Sequence, residues 1–190
     1  MDALFLNSGG LDSLAVARWG REAGHVLYSL FIDVGQENVE LAAQGAIQIA
    51  AAEQLSHETV LVRWSGGPLL ATQKGLSWLG TPFSGPVFFS LGATVARTKG
   101  LDFLVSGMRY GTEDQDTTFC DAFVALLRTS PWTHFVTPIR PLSGQGYDEI
   151  VARLAEDPVA HATYSCARIP RCGTCRKCET RRRYGIDPTS

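Results

Sequence analysis

The sequence predicts an α/β fold, an open parallel sheet with helices on both faces. Two observations carry that prediction. Short apolar runs alternate with segments of helical length along most of the chain. The residues that follow the apolar runs are glycine, serine, asparagine and aspartate, the residues that make turns and bind ligands at the carboxyl ends of parallel strands.

Residues 3–7 (ALFLN) form the first strand, continuously apolar as a strand covered on both faces must be. Residues 12–24 follow as a helix that stops near Gly24, a natural C-terminal residue. A second strand at 26–32 (VLYSLFI) leads into a long alanine-rich helix over 37–55. The third strand, 58–64 (ETVLVRW), precedes an irregular stretch of Gly, Ser and Pro over about 65–86. A helix at 87–99, a strand at 102–106 (DFLVS), a polar loop at 107–118 and a helix at 119–128 come next. A last strand at 134–137 and a helix at 147–156 complete the set. The ligand loops are then 8–13, 33–38 and 107–116, each just beyond a strand.

At 190 residues the chain reads as one compact unit. An α/β body over 1–160 carries a C-terminal segment, 161–190, packed on it. With 45% hydrophobic and 19% charged residues and a net charge of −2, bulk charge gives no reason for a polyanionic partner, and nucleic acid is not expected. No apolar run reaches the ~20 residues of a membrane span, and Asp2 stands where a signal peptide carries basic residues. The expected location is cytoplasmic, with no membrane partner.

The stretch LFLNSGGLDSLAV, residues 4–16, passes abruptly from strand to Asn7-Ser8-Gly9-Gly10-Leu11-Asp12-Ser13. Glycines bring backbone N–H groups close to an anion, and the helix opening near Asp12 aims its dipole at the same place. Ser8 and Ser13 add hydroxyls, and Asp12 is a ligand for a magnesium ion held between protein and phosphate. The competing reading is a strand–turn–helix whose Asp and Ser only cap the helix. The loop has no Walker A lysine and lacks the three spaced glycines of a dinucleotide fingerprint.

Four of the five cysteines, Cys166, Cys172, Cys175 and Cys178, fall within thirteen residues as Cys-x5-Cys-x2-Cys-x2-Cys. Clustered thiolates of this spacing read as a metal site, with a closed four-thiolate zinc knuckle first and an iron–sulfur cluster as its rival.

Ser8-Gly9-Gly10-Leu11-Asp12-Ser13 resembles the S-G-G-x-D-S signature of the PP-loop ATP pyrophosphatase superfamily. Together with the cysteine cluster, and with FIDVGQEN (31–38), LDFLVSGMRYGTEDQDTTFCDAF (101–123) and TPIRPLS (137–143), the chain resembles the 7-cyano-7-deazaguanine synthase family of queuosine biosynthesis over nearly its whole length. The resemblance implies an ATP-dependent C–N ligase that uses ATP, Mg and Zn. Such an enzyme adenylates the carboxylate of 7-carboxy-7-deazaguanine, adds ammonia to give the amide, and activates the amide oxygen again to leave the nitrile. It further implies catalytic roles for Asp12 and Ser13. Nucleotide binding falls to Asn7, Ser8, Gly9, Gly10, Leu11, Asp12, Ser13, Asp33 and Gly107, and metal binding to Cys166, Cys172, Cys175 and Cys178. The alternatives are a divergent PP-loop enzyme that activates another or a partner-linked carboxylate, a tRNA-thiolating relative, and a nucleotide- and zinc-binding module without turnover.

Two segments depart from the family pattern. Ser84 and Gly85 stand where the family carries Arg-Asn, and LSGQGYDEI (142–150) lacks the lysine of the Leu-Thr-Lys segment. Arg109, Arg140, Arg168 and Arg171 are candidates to supply the lost positive charge. Asp33 and Gln36 are read as ligand contacts or helix caps, and Glu113, Asp114 and Asp116 as magnesium ligands or a solvated loop. Cys120 is a pocket-lining or a reactive thiol. Arg181, Arg182 and Arg183, with Lys177 nearby, form a basic tail that either touches nucleic acid or is structural. His25, His57, His134 and His161 are surface or packing residues, and the alanine-rich helix is the candidate homodimer contact.

Overall fold

The computed structural model describes residues 1–33, 35, 38–62, 84–109, 117–129, 136–166 and 168–187; for 84–86, 117–120 and 127 only the backbone is described. Five parallel strands, β1 (Asp2–Leu6), β2 (Val26–Asp33), β3 (Ser56–Leu61), β4 (Phe103–Ser106) and β5 (Thr137–Ile139), lie in the order β3-β2-β1-β4-β5. Both neighbours of β1 pair with it in parallel, Ala3 opposite Leu27 on one side and Phe103 on the other. The chain order reverses between β1 and β4, so the crevice beyond their carboxyl ends is where a doubly wound sheet places its ligand.

Alternation along β1 divides the core. Ala3 and Phe5 point to the face covered by α1 (Leu11–Glu22), α2 (Val39–Ala52) and α5 (Tyr147–Leu154), with Leu14, Ile49 and Ile150 packed around them. Leu4 points to the other face, where Phe89 of α3 (Ser84–Thr98) meets Phe123 of α4 (Thr117–Thr129) edge to face. Arg18 of α1 stitches the first face together, bridging Glu53 after α2 and Asp157 after α5. Helices therefore cover both faces of the sheet, as the alternation of segments predicts.

Three elements differ from the sequence reading. The third strand is Ser56–Leu61, beginning two residues before the predicted 58–64. The last strand is Thr137–Ile139, three residues beyond the predicted 134–137, and Val136 is instead buried against α3 and α4. A sixth helix, α6 (Arg176–Arg183), runs where no apolar periodicity predicts one. Its buried residues are Cys178, Thr180 and Arg181. The Arg181 guanidinium reaches both oxygens of Asp187 at 2.8 Å and Thr163 Oγ1 at 2.7 Å. Ion pairing replaces hydrophobic burial here. A single 3-10 turn, Ala160–Ala162, connects α5 to this segment.

Candidate active site and metal centre

The phosphate loop leaves β1 under three constraints. Buried Asn7 gives its side-chain N–H groups to Ser29 Oγ and the Ala46 carbonyl, both at 2.9 Å, while its Oδ1 accepts the Gly9 N–H. Its amide is thus committed to holding the loop to β2 and α2. Gly9 has a φ of +76°, and a Cβ there would stand 2.0 Å from the Ala42 carbonyl oxygen. Gly45 of α2 meets the same loop from the other side, with a Cβ falling 2.5 Å from the Gly9 oxygen. Loop and helix therefore touch backbone to backbone, which only glycine permits.

Gly45→Ala is a sharp test of that contact. In an ordinary helix the change stabilises by ~1 kcal/mol. Here it must push the phosphate loop away, with an overpacking cost of ~1–3 kcal/mol. Thermal denaturation is expected to show a lowered Tm, and calorimetry at least about a tenfold loss of nucleotide affinity. A stabilised protein with unchanged affinity would refute the contact.

The capping alternative for Asp12 and Ser13 fails. The N-cap of α1 is Gly10, and no side chain makes a capping bond there. Ser13 Oγ instead accepts the Ser8 N–H at 2.9 Å and lies 3.0 Å from Ser8 Oγ, a hydroxyl pair across the mouth of the loop. Gly10, Asp12 and Ser13, at the end of α1 where first-turn N–H groups have no intrahelical acceptor, line the cleft. The Leu11 N–H is directed at Ser165 Oγ at 3.3 Å.

The cleft has a volume of about 270 Å³. Its lining combines apolar side chains (Leu6, Leu30, Ile32, Phe88, Met108) with polar residues (Ser8, Asp12, Ser13, Ser106, Ser165, Lys177). Such a lining suits a ligand with both a flat apolar part and a polar or charged part. Gly107 also lines the cleft, and a Cβ there would sit 3.1 Å from Asp12, so the end of β4 and α1 approach closely. Arg109 Nε lies 2.9 Å from Asp12 Oδ1, and its guanidinium rests 4.9 Å from the centre of the Tyr147 ring. Burial pushes the Asp12 carboxyl above the ordinary aspartate value, against the opposing charges of Arg109 and Lys177.

Of the residues singled out in the sequence, Asn7, Ser8, Gly10, Asp12, Ser13 and Gly107 line this cleft. Gly9 and Leu11 shape it from behind, and Leu11 is wholly buried in the core. Asp33 stands at the end of β2, where its Oδ1 accepts the Gly35 N–H at 2.8 Å, and it is not among the described lining residues. Gln36, Glu113, Asp114, Asp116 and His134, the side chains of Ser84 and Cys120, and nearly all of the stretch 65–86 lie outside the described residues. The other histidines are surface or packing residues: His25 abuts Trp19, His57 bonds Ser29 Oγ, and exposed His161 reaches the Ile186 carbonyl. Sequence reasoning did not place Tyr164, Ser165 or Lys177 in the cleft. Their one signal was adjacency to the cysteine cluster.

The four cysteines converge. Cys166 and Cys172 Sγ are 3.7 Å apart, Cys175 and Cys178 Sγ 3.5 Å, and all four sulfurs lie within 4.8 Å of one another. A tetrahedral ion with bonds of ~2.3 Å holds its sulfurs ~3.8 Å apart, so the set fits a single metal ion. The N–H groups of Cys172 and Cys175 point at the sulfurs of Cys166 and Cys172, at 3.4 and 3.3 Å. Backbone N–H groups of Thr174 and Cys175 bring the Cys172 thiol down to about 6, and burial pushes Cys178 up to about 12. A cation here offsets that unevenness by favouring thiolate at every position.

The knuckle and the phosphate loop form one assembly. The Tyr164 N–H donates to the Gly9 carbonyl at 2.8 Å, Ser165 Oγ faces the Leu11 N–H, and Asn38 Nδ2 holds the Cys166 carbonyl at 2.8 Å. Arg171 contacts Asp187 and donates to the Thr163 carbonyl at 2.8 Å, which fixes the same strap from its other end. Arg183 lies 3.1 Å from Asp148 and Arg182 2.9 Å from the Gly173 carbonyl. With Arg181 on Asp187, all three tail arginines are engaged within the chain.

Comparison with known proteins agrees with this geometry. The family model described as "Queuosine biosynthesis protein QueC" matches residues 2–186. A 7-cyano-7-deazaguanine synthase of Synechococcus sp. (strain RCC307) is 30% identical, covering 93% of this chain and 90% of its own length. A 7-cyano-7-deazaguanine synthase 1 of Sphingopyxis alaskensis is 29% identical, with 97% and 93% covered. Among solved structures, the U34-tRNA thiolase NcsA of Methanococcus maripaludis with its 4Fe-4S cluster matches with a TM-score of 0.59 at 18% identity. A 4-thiouridine synthetase–RNA complex with bound ATP matches at 0.57 and 19%. This chain covers 97% and 85% of itself in those matches but spans 64% and 42% of the two structures, and the likeness is one of fold. The chain belongs to the queuosine biosynthesis protein QueC family, whose curated relatives are 7-cyano-7-deazaguanine synthases.

Proposed function

We propose that the protein is an ATP-dependent ligase that converts 7-carboxy-7-deazaguanine, or a close analogue, first to the amide and then to the nitrile. The observation that carries this reading is the α1 N-terminus, whose N-cap residue Gly10 makes no side-chain cap, lining the cleft together with Ser8, Asp12 and Ser13. That set of groups suits gripping a leaving pyrophosphate rather than attacking. A carboxylate oxygen attacks the α-phosphorus of ATP, pyrophosphate departs into the loop, and ammonia displaces AMP from the acyl adenylate. The amide oxygen is activated by a second ATP, and loss of AMP leaves the nitrile, so each nitrile consumes two ATP. The protein's task is to align the oxygen and to steady the charge on the leaving group.

Magnesium, which takes oxygen ligands, fits the Asp12 carboxylate that lines the cleft with the Ser8 and Ser13 hydroxyls, and supplies charge neutralisation of the phosphates when bound. Zinc fits the four thiolates as a closed structural centre. The short sulfur separations favour one ion over a cluster, which interposes inorganic sulfide and spreads the thiolates over several irons. The segments 1–160 and 161–190 act as one unit, joined by the Tyr164–Gly9 and Ser165–Leu11 contacts.

The reading is tested by the nucleotide product. Incubation with Mg-ATP, ammonium and the carboxylate is expected to give AMP and pyrophosphate, with an oxygen-18 label in the carboxylate appearing in AMP. ADP and phosphate, or label-free AMP, would refute carboxylate adenylation. A pH profile follows from Asp12. Its raised pKa favours the neutral carboxyl, while magnesium needs the anion. Mg-ATP affinity should therefore fall with acidification through a pH above the ordinary aspartate range of ~4, with proton release on binding. Asp12→Asn should remove that limb; an unchanged limb in the variant would place the titration elsewhere.

A further inference from the structure

We infer that Lys177, carried between two cysteines of the metal knuckle, is the side-chain cation that holds the terminal phosphates of the nucleotide. The inference rests on the reading of the cleft as an ATP site. Among the described lining residues Lys177 is the only basic side chain and Asp12 the only acidic one. A triphosphate is strongly anionic, and one magnesium ion neutralises only part of that charge. The phosphate loop itself supplies hydroxyls and N–H groups and carries no lysine.

The arginines named from the sequence do not fill this role. Arg109 holds Asp12 at 2.9 Å and lies over Tyr147, and Arg171 holds Asp187 and the Thr163 carbonyl. Arg140 and Arg168 are not among the described lining residues. Lys177 alone of the five combines a place in the cleft lining with a side chain that makes no ion pair among the described residues, and its charge is felt at the Asp12 carboxyl. Its backbone is nonetheless fixed. It occupies the first turn of α6, between Cys175 at the N-cap and buried Cys178. A long flexible side chain on a rigid base, facing an anion site, is how lysine serves as a phosphate-binding point charge.

Calorimetry of the metal-loaded protein with Mg-ATP, magnesium pyrophosphate and AMP tests this. Lys177→Ala is expected to weaken ATP and pyrophosphate binding roughly ten- to hundred-fold, leaving AMP affinity, metal content and Tm unchanged. Lys177→Arg should restore most of the loss, and the wild-type affinity should fall more steeply with salt than that of the alanine variant. Equal pyrophosphate affinity in wild type and Lys177→Ala would overturn the assignment. So would an effect confined to the KM of the acceptor carboxylate, which would make the lysine a substrate contact. If the wild type binds neither ATP nor pyrophosphate, the ATP reading of the cleft fails instead.

Discussion

Asp12→Asn is expected to lower carboxylate-dependent AMP formation by at least about a hundred-fold while the protein remains folded. The substitution keeps the shape of the side chain and removes its charge. Two consequences follow from the geometry. The amide cannot serve as an anionic magnesium ligand, and Arg109, 2.9 Å away, loses its counter-ion. The second effect costs ~1–3 kcal/mol, as for a polar group left without its partner, a shift that a domain of ordinary stability survives. Circular dichroism and Tm therefore separate the two. Near-native melting with lost turnover places Asp12 in the chemistry; a collapse of the fold would make it a structural residue. A non-catalytic nucleotide module makes a third pattern, in which the substitution alters binding and there is no wild-type turnover to lose.

Removing one thiolate should have the largest effect on stability. Cys175→Ser leaves three sulfurs and is expected to drop bound metal well below one ion per chain. The knuckle then loses the centre that ties Cys166 to α6, and with it the support under Tyr164 and Ser165. The core on both sheet faces persists, so the loss is smaller than the ~10–16 kcal/mol measured for isolated zinc peptides. A loss of ~3–5 kcal/mol corresponds to a fall in Tm of roughly 10–15 °C for a chain of this size. Nucleotide affinity should fall in parallel, because the Gly9 carbonyl and the Leu11 N–H lose their partners. The sign with pH is set by the thiols: protons compete with the metal, so acidification releases it and stability falls with it. Elemental analysis identifies the ion. A colourless protein with one zinc is expected, and a broad visible absorption from iron and sulfide would contradict the mononuclear centre.

The sheet and the phosphate loop were legible because local rules and tertiary structure agree there. Continuous apolar runs such as Ala3–Leu6 can only be strands buried on two faces, and Gly9 is required by its own φ of +76°. The cysteines were legible because thiolates so close in sequence have few other uses. Where burial is ionic rather than apolar, the pattern is silent. Helix α6 reads as a basic tail, yet its Arg181 is among the most buried side chains, held by Asp187 and Thr163. The edge strand β5 spans three residues around Pro138, too short and too interrupted for a period-two signal. The Ser165 contact with Leu11, and the place of Lys177 in the same cleft as Asp12, bring together residues more than 150 positions apart, and a single sequence carries no signal for such pairing. One departure from the family pattern gains a structural role. Gly146 caps α5 with Glu149 folded back onto its N–H at 2.9 Å, where the family carries its lysine segment. The cations whose charges act on Asp12 are Arg109 and Lys177.

The most direct measurement is a mass-spectrometric assay of both products. Purified, metal-replete protein is incubated with Mg-ATP, ammonium and 7-carboxy-7-deazaguanine, and base and nucleotide are counted together. The expected result is the nitrile with two AMP formed for each molecule, the amide rising and falling before it. Amide accumulating with one AMP and no nitrile would contradict the second activation. Absence of both products, in a protein that binds Mg-ATP, would contradict the assignment of this acceptor.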